Sequence, residues 1–412
     1  MKIKWKSAPV KHAFAAFAAP NNALSVSPAL DQATDMLPDL SGLPQPLDKA
    51  RALLHAAAEV EHMLLIQYLY ASLTLKAGTQ LLALPLPQQQ AVRSWAATLK
   101  TIAIEEMGHL MSVQNLLLLI GEDPSFKREE FPPPVDGSYP FDLHLEPLSK
   151  HSLAKYILAE APISADATLD EFRKLVPATV GAVKHVGVIY GLLAVIFSKG
   201  QLTLGATPAD DWETFVQLIA SKCGALQHPE LWLLDSALLH PGSEKRQGHP
   251  TDFDAPVPGF FFATVTDLKG AYGLVRDIGL QGEAPVDAPT HVSHYLQFRR
   301  MFEGSGTLLP FPLNGEFDPA FDVGVDPKLS DYTDNAHDLA AQIDAAYATM
   351  LQGLNQYLSA DAAGSRADIA NAAVDQMHDV RQLSKNLLTF PQHAGTTTLA
   401  SPVFSVPAIS KH

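Results

Sequence analysis

Residues 101–121 read TIAIEEMGHLMSVQNLLLLIG, a largely apolar stretch whose acids and histidine fall together between Glu105 and His109. Apolar residues recur at helical spacing from Gln88 to Ile120, and Gly121 followed by Pro124 is a stop signal, so the pattern predicts one long helix. Within it Glu106 and His109 stand three residues apart. They share a face about one turn apart, which lets a carboxylate and an imidazole converge on one metal ion. An ExxH pair by itself is cheap, because a solvated Glu beside a hydrogen-bonded His has the same spacing. Here the flanks are apolar, and an ionised carboxylate buried among them needs a partner.

The stretch upstream supplies one. From Leu47 to Ala77 the chain again shows helical spacing without Gly or Pro, and a short loop around Pro85–Pro87 separates the two helices, so they are expected to pack antiparallel. Glu59 and Glu61 lie about 200° apart around such a helix, so only one of them can share the core face. Glu61 lies on the stripe with Leu54, Ala57, Ala58, Leu65 and Tyr68 and is the better candidate. Tyr68, two turns on, is either a core aromatic or a hydrogen-bonding, redox-active neighbour of the site, and it is the candidate catalytic side chain. One carboxylate per helix together with ExxH is the ligand pattern of carboxylate-bridged di-iron and di-manganese bundles.

Further out the chain stays all-α. Helical patterning returns at Leu153–Glu160 and around Val176–Lys199, where HVGVIYGLLAVIF is apolar almost all round and is expected to be deeply buried. A helix near Pro208–Gly224 belongs to an excursion over residues 207–259 that also holds the loop HPGSEKRQGHP. A fourth core helix is broken, with ATVTDLKGAYGLVRDIGLQGEA stopping at Gly282–Pro285 and THVSHYLQFRRMFEG starting after Pro289. Two tail helices follow, Tyr332–Ser359 and Ser365–Leu388. The expected organisation is an N-terminal extension over 1–46, a metal-binding bundle over 47–303 with the inserted excursion, and a helical pair with an extended tail over 304–412.

Composition removes several classes of function. The 412 residues carry 44 Asp+Glu against 29 Lys+Arg, a formal charge of -15, which opposes nucleic acid as a partner. The single cysteine, Cys223, permits neither a disulfide nor a thiolate cluster and reads as inert, so any metal is held by N and O atoms. No apolar run approaches the ~18 residues that cross a bilayer. The lysines ahead of AFAAFAAP copy a signal peptide only superficially, so a cytoplasmic location is expected, with export the lesser alternative. His240, His249 and Asp252–Asp254 read as a polar surface loop, and no nucleotide, serine-hydrolase or haem motif occurs.

The segments AEVEHMLLIQYLYA, IAIEEMGHLMSVQNLLLLIGEDP, GLQGEAP, SHYLQF and GTTTLASPVF, in this order, resemble the ferritin-like family called iminophenyl-pyruvate dimer synthase. That family takes its name from the ferritin-like region of the violacein and rebeccamycin dimer synthases and also contains standalone bacterial proteins. The resemblance runs from about Leu47 to Val406 and implies a ferritin-like four-helix bundle with extra helices and long loops. It implies Glu61, Glu106 and His109 as ligands from the first helix pair, and Glu283 and His294 from the broken fourth helix. The family pattern has a carboxylate two residues before the tyrosine matching Tyr190, where this chain has Val188. Either His185, one turn earlier, substitutes as a nitrogen ligand, or the position is empty and the chain holds one metal or none.

The resulting expectation is a non-haem iron oxidoreductase, dinuclear or mononuclear, with Mn or Zn as alternative metals. It would activate O2 or peroxide to oxidise a small, amino-acid-derived substrate in bacterial secondary metabolism. The competing reading is a non-catalytic ferritin-like metal-binding or scaffold protein, and a homo-oligomer is compatible with either.

Overall fold

The computed structural model describes residues 3–4, 37–134, 139, 142–162, 169–176, 185–254, 257–283, 292–312, 316–359 and 366–406, the side chain of Glu283 excepted. The stretch AFAAFAAP, Lys184, Pro285 and Pro289 lie outside them. Among the described residues the chain forms helices and isolated β-bridges, with no strand. The α-helices in chain order are α1 (Pro46–Leu73), α2 (Gly78–Leu82), α3 (Leu86–Leu119), α4 (Lys150–Ala159), α5 (Asp170–Arg173), α6 (Gly187–Phe197), α7 (Asp211–Cys223), α8 (Leu268–Glu283), α9 (His294–Glu303), α10 (Asp334–Ser359) and α11 (Arg366–Leu387). None is long and apolar enough to cross a membrane.

Local chemistry sets these limits. Both α1 and α3 begin with proline in the first turn, where the missing N–H costs nothing. Ser149 and Ser152 cap α4 reciprocally, each hydroxyl accepting the other's backbone N–H at 3.0 and 2.8 Å. Gly224, at φ 85°, closes α7 in the left-handed conformation. The first long helix ends at Leu73, four residues earlier than its apolar pattern suggests. Helix α6 starts at Gly187, and the part of the expected third core helix over 177–184 lies outside the described residues.

Helices α1 and α3 pack along each other, α6 packs on both α7 and α8, and α4 packs on α9. α1 also touches α6, and α3 touches α8 and α9, which closes a bundle around one core. Every residue of α6 is buried, as its all-round apolar sequence requires. The bundle's third and fourth helices are both interrupted. The Val186 N–H donates to Ala159 O at 3.1 Å, so α6 starts beside the end of α4, and α8 and α9 touch across the segment 284–293.

The tail helices α10 and α11 pack on each other, and α11 reaches α1. The chain then returns through GTTTLASPVF, which is sewn to the bundle at Ser401. Its Oγ lies 2.9 Å from the Tyr70 hydroxyl, and its carbonyl accepts from Tyr332 at 2.7 Å.

Candidate metal centre

The centre grows from α1 and α3. Glu61, Glu106 and His109 are all buried, with one ligand atom from each within 4.8 Å of the other two. His109 Nδ1 lies 2.9 Å from Glu106 Oε2 and 3.4 Å from Glu61 Oε2. A second group of the same kind joins Glu106 to Glu160 and His294. His294 Nδ1 lies 3.1 Å from Glu106 Oε1 and 3.9 Å from Glu160 Oε2. Glu106 is thus common to both groups, one oxygen turned to each histidine.

A matching shell of hydrogen bonds orients these ligands. The Tyr68 hydroxyl donates to Glu160 at 2.7 Å, and the Tyr190 hydroxyl donates to Glu61. His109 Nε2 lies 3.0 Å from Gln281 Oε1, and His294 Nε2 lies 3.0 Å from Glu105 Oε2. Both partners are acceptors, so each Nε2 carries a hydrogen and each Nδ1 is turned to the carboxylates. Such outer partners fix the tautomer of a metal-bound histidine. Gly282 allows close approach here, since a Cβ at this position would meet Glu160 Oε2 at 3.1 Å.

Without a cation the arrangement is strained electrostatically. Burial, and after it the neighbouring Glu106, pushes Glu61 up to about 8 and Glu160 up to about 7. Burial also works against ionised Glu106, but His294 and His109 outweigh it and hold this carboxyl well below the usual range. Burial opposes charge on the histidines as well. The carboxylates overcome it, raising His294 to about 10 and His109 well above its ordinary value. Protons therefore stand where cations would. Glu61 Oε2, Glu106 Oε1 and His294 Nδ1 are buried and make no hydrogen bond, because Glu106 Oε1 and His294 Nδ1 approach without the alignment of one. Between them lies a cavity of about 10 Å³, room for one water-sized particle. Buried polar atoms of this kind call for a partner, and N and O donors in this set suit iron, manganese or zinc.

Of the residues singled out in the sequence, the structure brings Glu61, Glu106, His109 and His294 together, with Tyr68 against the second group. His185 stands outside both groups, with Nδ1 at 2.7 Å from the Ala161 carbonyl. Glu283 ends α8, and its side chain lies outside the described residues. Where the family pattern has a carboxylate beside the tyrosine matching Tyr190, this chain has Val188, and the acid that stands in the second group is Glu160, at the end of α4. Glu160, Glu105, Gln281 and the role of Tyr190 were not drawn from the sequence. The one signal for Glu160 is a lone acid inside the apolar run ILAEAPI. Glu59 turns away from the centre and accepts from Tyr139. Cys223 lies off the site, and burial pushes its thiol up to about 12.

A ferritin-like family model matches residues 54–303, more than half of the chain. The chain belongs to the ferritin-like family. That match supports the broad family and not the narrower dimer synthase grouping. Among solved structures the chain is similar to a ferritin-like protein from Caulobacter vibrioides, at 14% identity over 81% of this chain and 93% of that one, with a TM-score of 0.41. No protein of curated function matches it.

Proposed function

We propose that this chain is a non-haem di-iron oxidoreductase. Glu61 and His109 would hold one ion and Glu160 and His294 the other, with Glu106 shared between them and Glu283 as a further carboxylate. The observation that carries the proposal is the pair of buried Glu/Glu/His groups meeting at Glu106 with three ligand atoms left without hydrogen bonds. Bound there, iron supplies the means to reduce O2 or peroxide at the expense of an organic substrate.

The chain's own residues have separable tasks. Tyr68 and Tyr190 aim the Glu160 and Glu61 carboxylates, while Gln281 and Glu105 keep a hydrogen on each Nε2 and so leave Nδ1 free to ligate. Glu105 and Gln281 also stand in the wall of a cleft of about 890 Å³, with Asp277, Gln297 and Arg300 on its other sides. A small polar substrate in that cleft is one side chain away from both histidines. Amino-acid-derived imines are one substrate class that the resemblance of the sequence motifs suggests. The apolar core around α6 keeps bulk water from the other side of the site.

Metal content decides the matter. Protein purified without chelator should carry close to two irons per chain and gain a near-ultraviolet band on exposure to O2. Glu106→Ala and His109→Ala should each lower that stoichiometry while helical content stays nearly intact. Unchanged metal in both variants removes the proposed centre, and zinc without an O2-dependent band removes the oxidase.

A further inference from the structure

A second cavity, of about 180 Å³, lies on the far side of α3 from the metal centre, between the α1–α3 pair and the α10–α11 pair. Its body is apolar: Leu65 and Ile66 come from α1, Met107 from α3, Met350 from α10, Phe253 from the excursion and Phe260 from just after it. Tyr347 also lines it, but its hydroxyl is already engaged by His62 and Arg128 at 2.6 and 3.0 Å. Interiors are ordinarily close-packed, and an empty apolar cavity forfeits contacts along its whole wall.

The charge around this cavity has one sign. Lys100 from α3, with His378 and Arg381 from α11, lines it, and among the described residues no Asp or Glu does. Neither Lys100 nor Arg381 makes an ion pair with a described residue. Burial, and then the like charges of Arg381 and Lys385, hold the Lys100 ammonium below its ordinary value. In a chain with 44 acidic residues against 29 basic ones, that grouping of like charges is an exception to the composition.

We propose that this cavity binds a small amphipathic carboxylic acid. Its apolar body lies between the two helix pairs, and its carboxylate is held by Arg381 and Lys100. A guanidinium binds a carboxylate in a two-pronged, charge-assisted geometry, which an apolar pocket with a cationic mouth then couples to chain length. The volume is below the ~300–1,000 Å³ of sites for drug-sized ligands, which selects an acid of medium chain length. The site shares no side chain with the metal centre, and the proposal stands whether or not the centre is redox-active.

Octanoate is the probe, titrated calorimetrically into the full-length protein as purified, with 1-octanol as the uncharged control. Saturable binding of one octanoate per chain is expected, with 1-octanol at least about tenfold weaker. Arg381→Gln and Lys100→Gln, both exposed on the surface, should each weaken octanoate by about tenfold and leave metal content unchanged. Ala103→Leu should fill the cavity and abolish binding. Absence of saturable octanoate binding overturns the proposal, as does equal binding by the Arg381→Gln and Lys100→Gln variants or equal binding of 1-octanol. Binding to anionic vesicles without binding of free octanoate also overturns it and assigns the cations to a lipid surface.

Discussion

Replacing Glu160 by Gln separates the cost of the metal centre from its use. Gln keeps the volume of the side chain and an oxygen for the Tyr68 hydrogen bond, and it removes only the charge. Burial and then Glu106 raise the Glu160 carboxyl from 4.5 to about 7 in the folded, metal-free protein. A carboxyl raised on folding contributes fully below its unfolded value, and that contribution is lost as pH climbs through the folded one. At about 1.36 kcal/mol per pH unit, the metal-free protein gives up about 3 kcal/mol between pH 4.5 and pH 8 on this account. Glu160→Gln has no such loss. Chelator-treated wild-type and variant proteins should therefore unfold at similar urea concentrations at pH 4.5, and at pH 8 the variant should be more stable by about 3 kcal/mol. Metal analysis should show the reverse order, the variant holding about one ion fewer per chain. If the variant is no more stable at pH 8, or if it retains the wild-type metal stoichiometry, the assignment of Glu160 fails.

Three other changes test the frame around the centre. His144, raised to about 8 chiefly by its hydrogen bond to Asp326, should stabilise the fold below pH 6.5 and lose that contribution as pH passes 8. Solvent screening of this half-buried pair leaves about 1 kcal/mol, and urea midpoints for Asp326→Asn should show a weaker pH dependence, with Asp142 still 3.2 Å from His144. Asn115→Leu removes a partner from Gly248 N, Gly248 O and Ala263 O at 2.7, 3.0 and 2.9 Å, with Gly248 O keeping the Thr264 hydroxyl at 3.1 Å, for a loss of about 3 kcal/mol. A loss below about 1 kcal/mol by chemical denaturation would mean those backbone groups find other partners. At Gly279 a Cβ would stand 2.4 Å from the Trp212 ring, so Gly279→Ala should destabilise by about 1 kcal/mol net of the better helix propensity and alter tryptophan emission; an unchanged Tm counts against that contact.

What the sequence carried is the part of the site that lives on single helices. Glu106 and His109 share a turn, and Glu61 shares a stripe with core residues, so 3.6-residue periodicity reaches all three. The helices themselves were legible for the same reason, with α3, α7, α10 and α11 ending within a few residues of the apolar patterns that announce them. Glu160 was not legible, because it belongs to the centre through the packing of α4 on α9, a contact with no fixed spacing along the chain. Twenty-nine residues separate it from Tyr190, so a search for an acid close to that tyrosine finds Val188 and then His185. Glu105 was hidden by its neighbour: Glu106, not Glu105, has the three-residue spacing to His109, yet Glu105 hydrogen-bonds His294 at the start of α9.

The two interrupted helices explain where the second group of ligands stands. α4 ends as Glu160 caps it, and α9 begins with His294 in its first turn, so a helix C-terminus and a helix N-terminus meet at the centre. The carbonyl end of α4 carries partial negative charge and disfavours the Glu160 carboxylate unless a cation stands nearby. The amide end of α9 carries partial positive charge and favours neutral His294, the form whose Nδ1 lone pair can bind a metal. Each effect is about 0.3–1 kcal/mol, small beside the pull of Glu106 on His294, but both act in the direction of metal binding. A continuous helix would place these side chains in mid-helix, where the backbone dipoles cancel. Breaking both helices at the level of Glu106 adds the two termini to the centre's electrostatics and opens the bundle toward the cleft at Glu105 and Gln281.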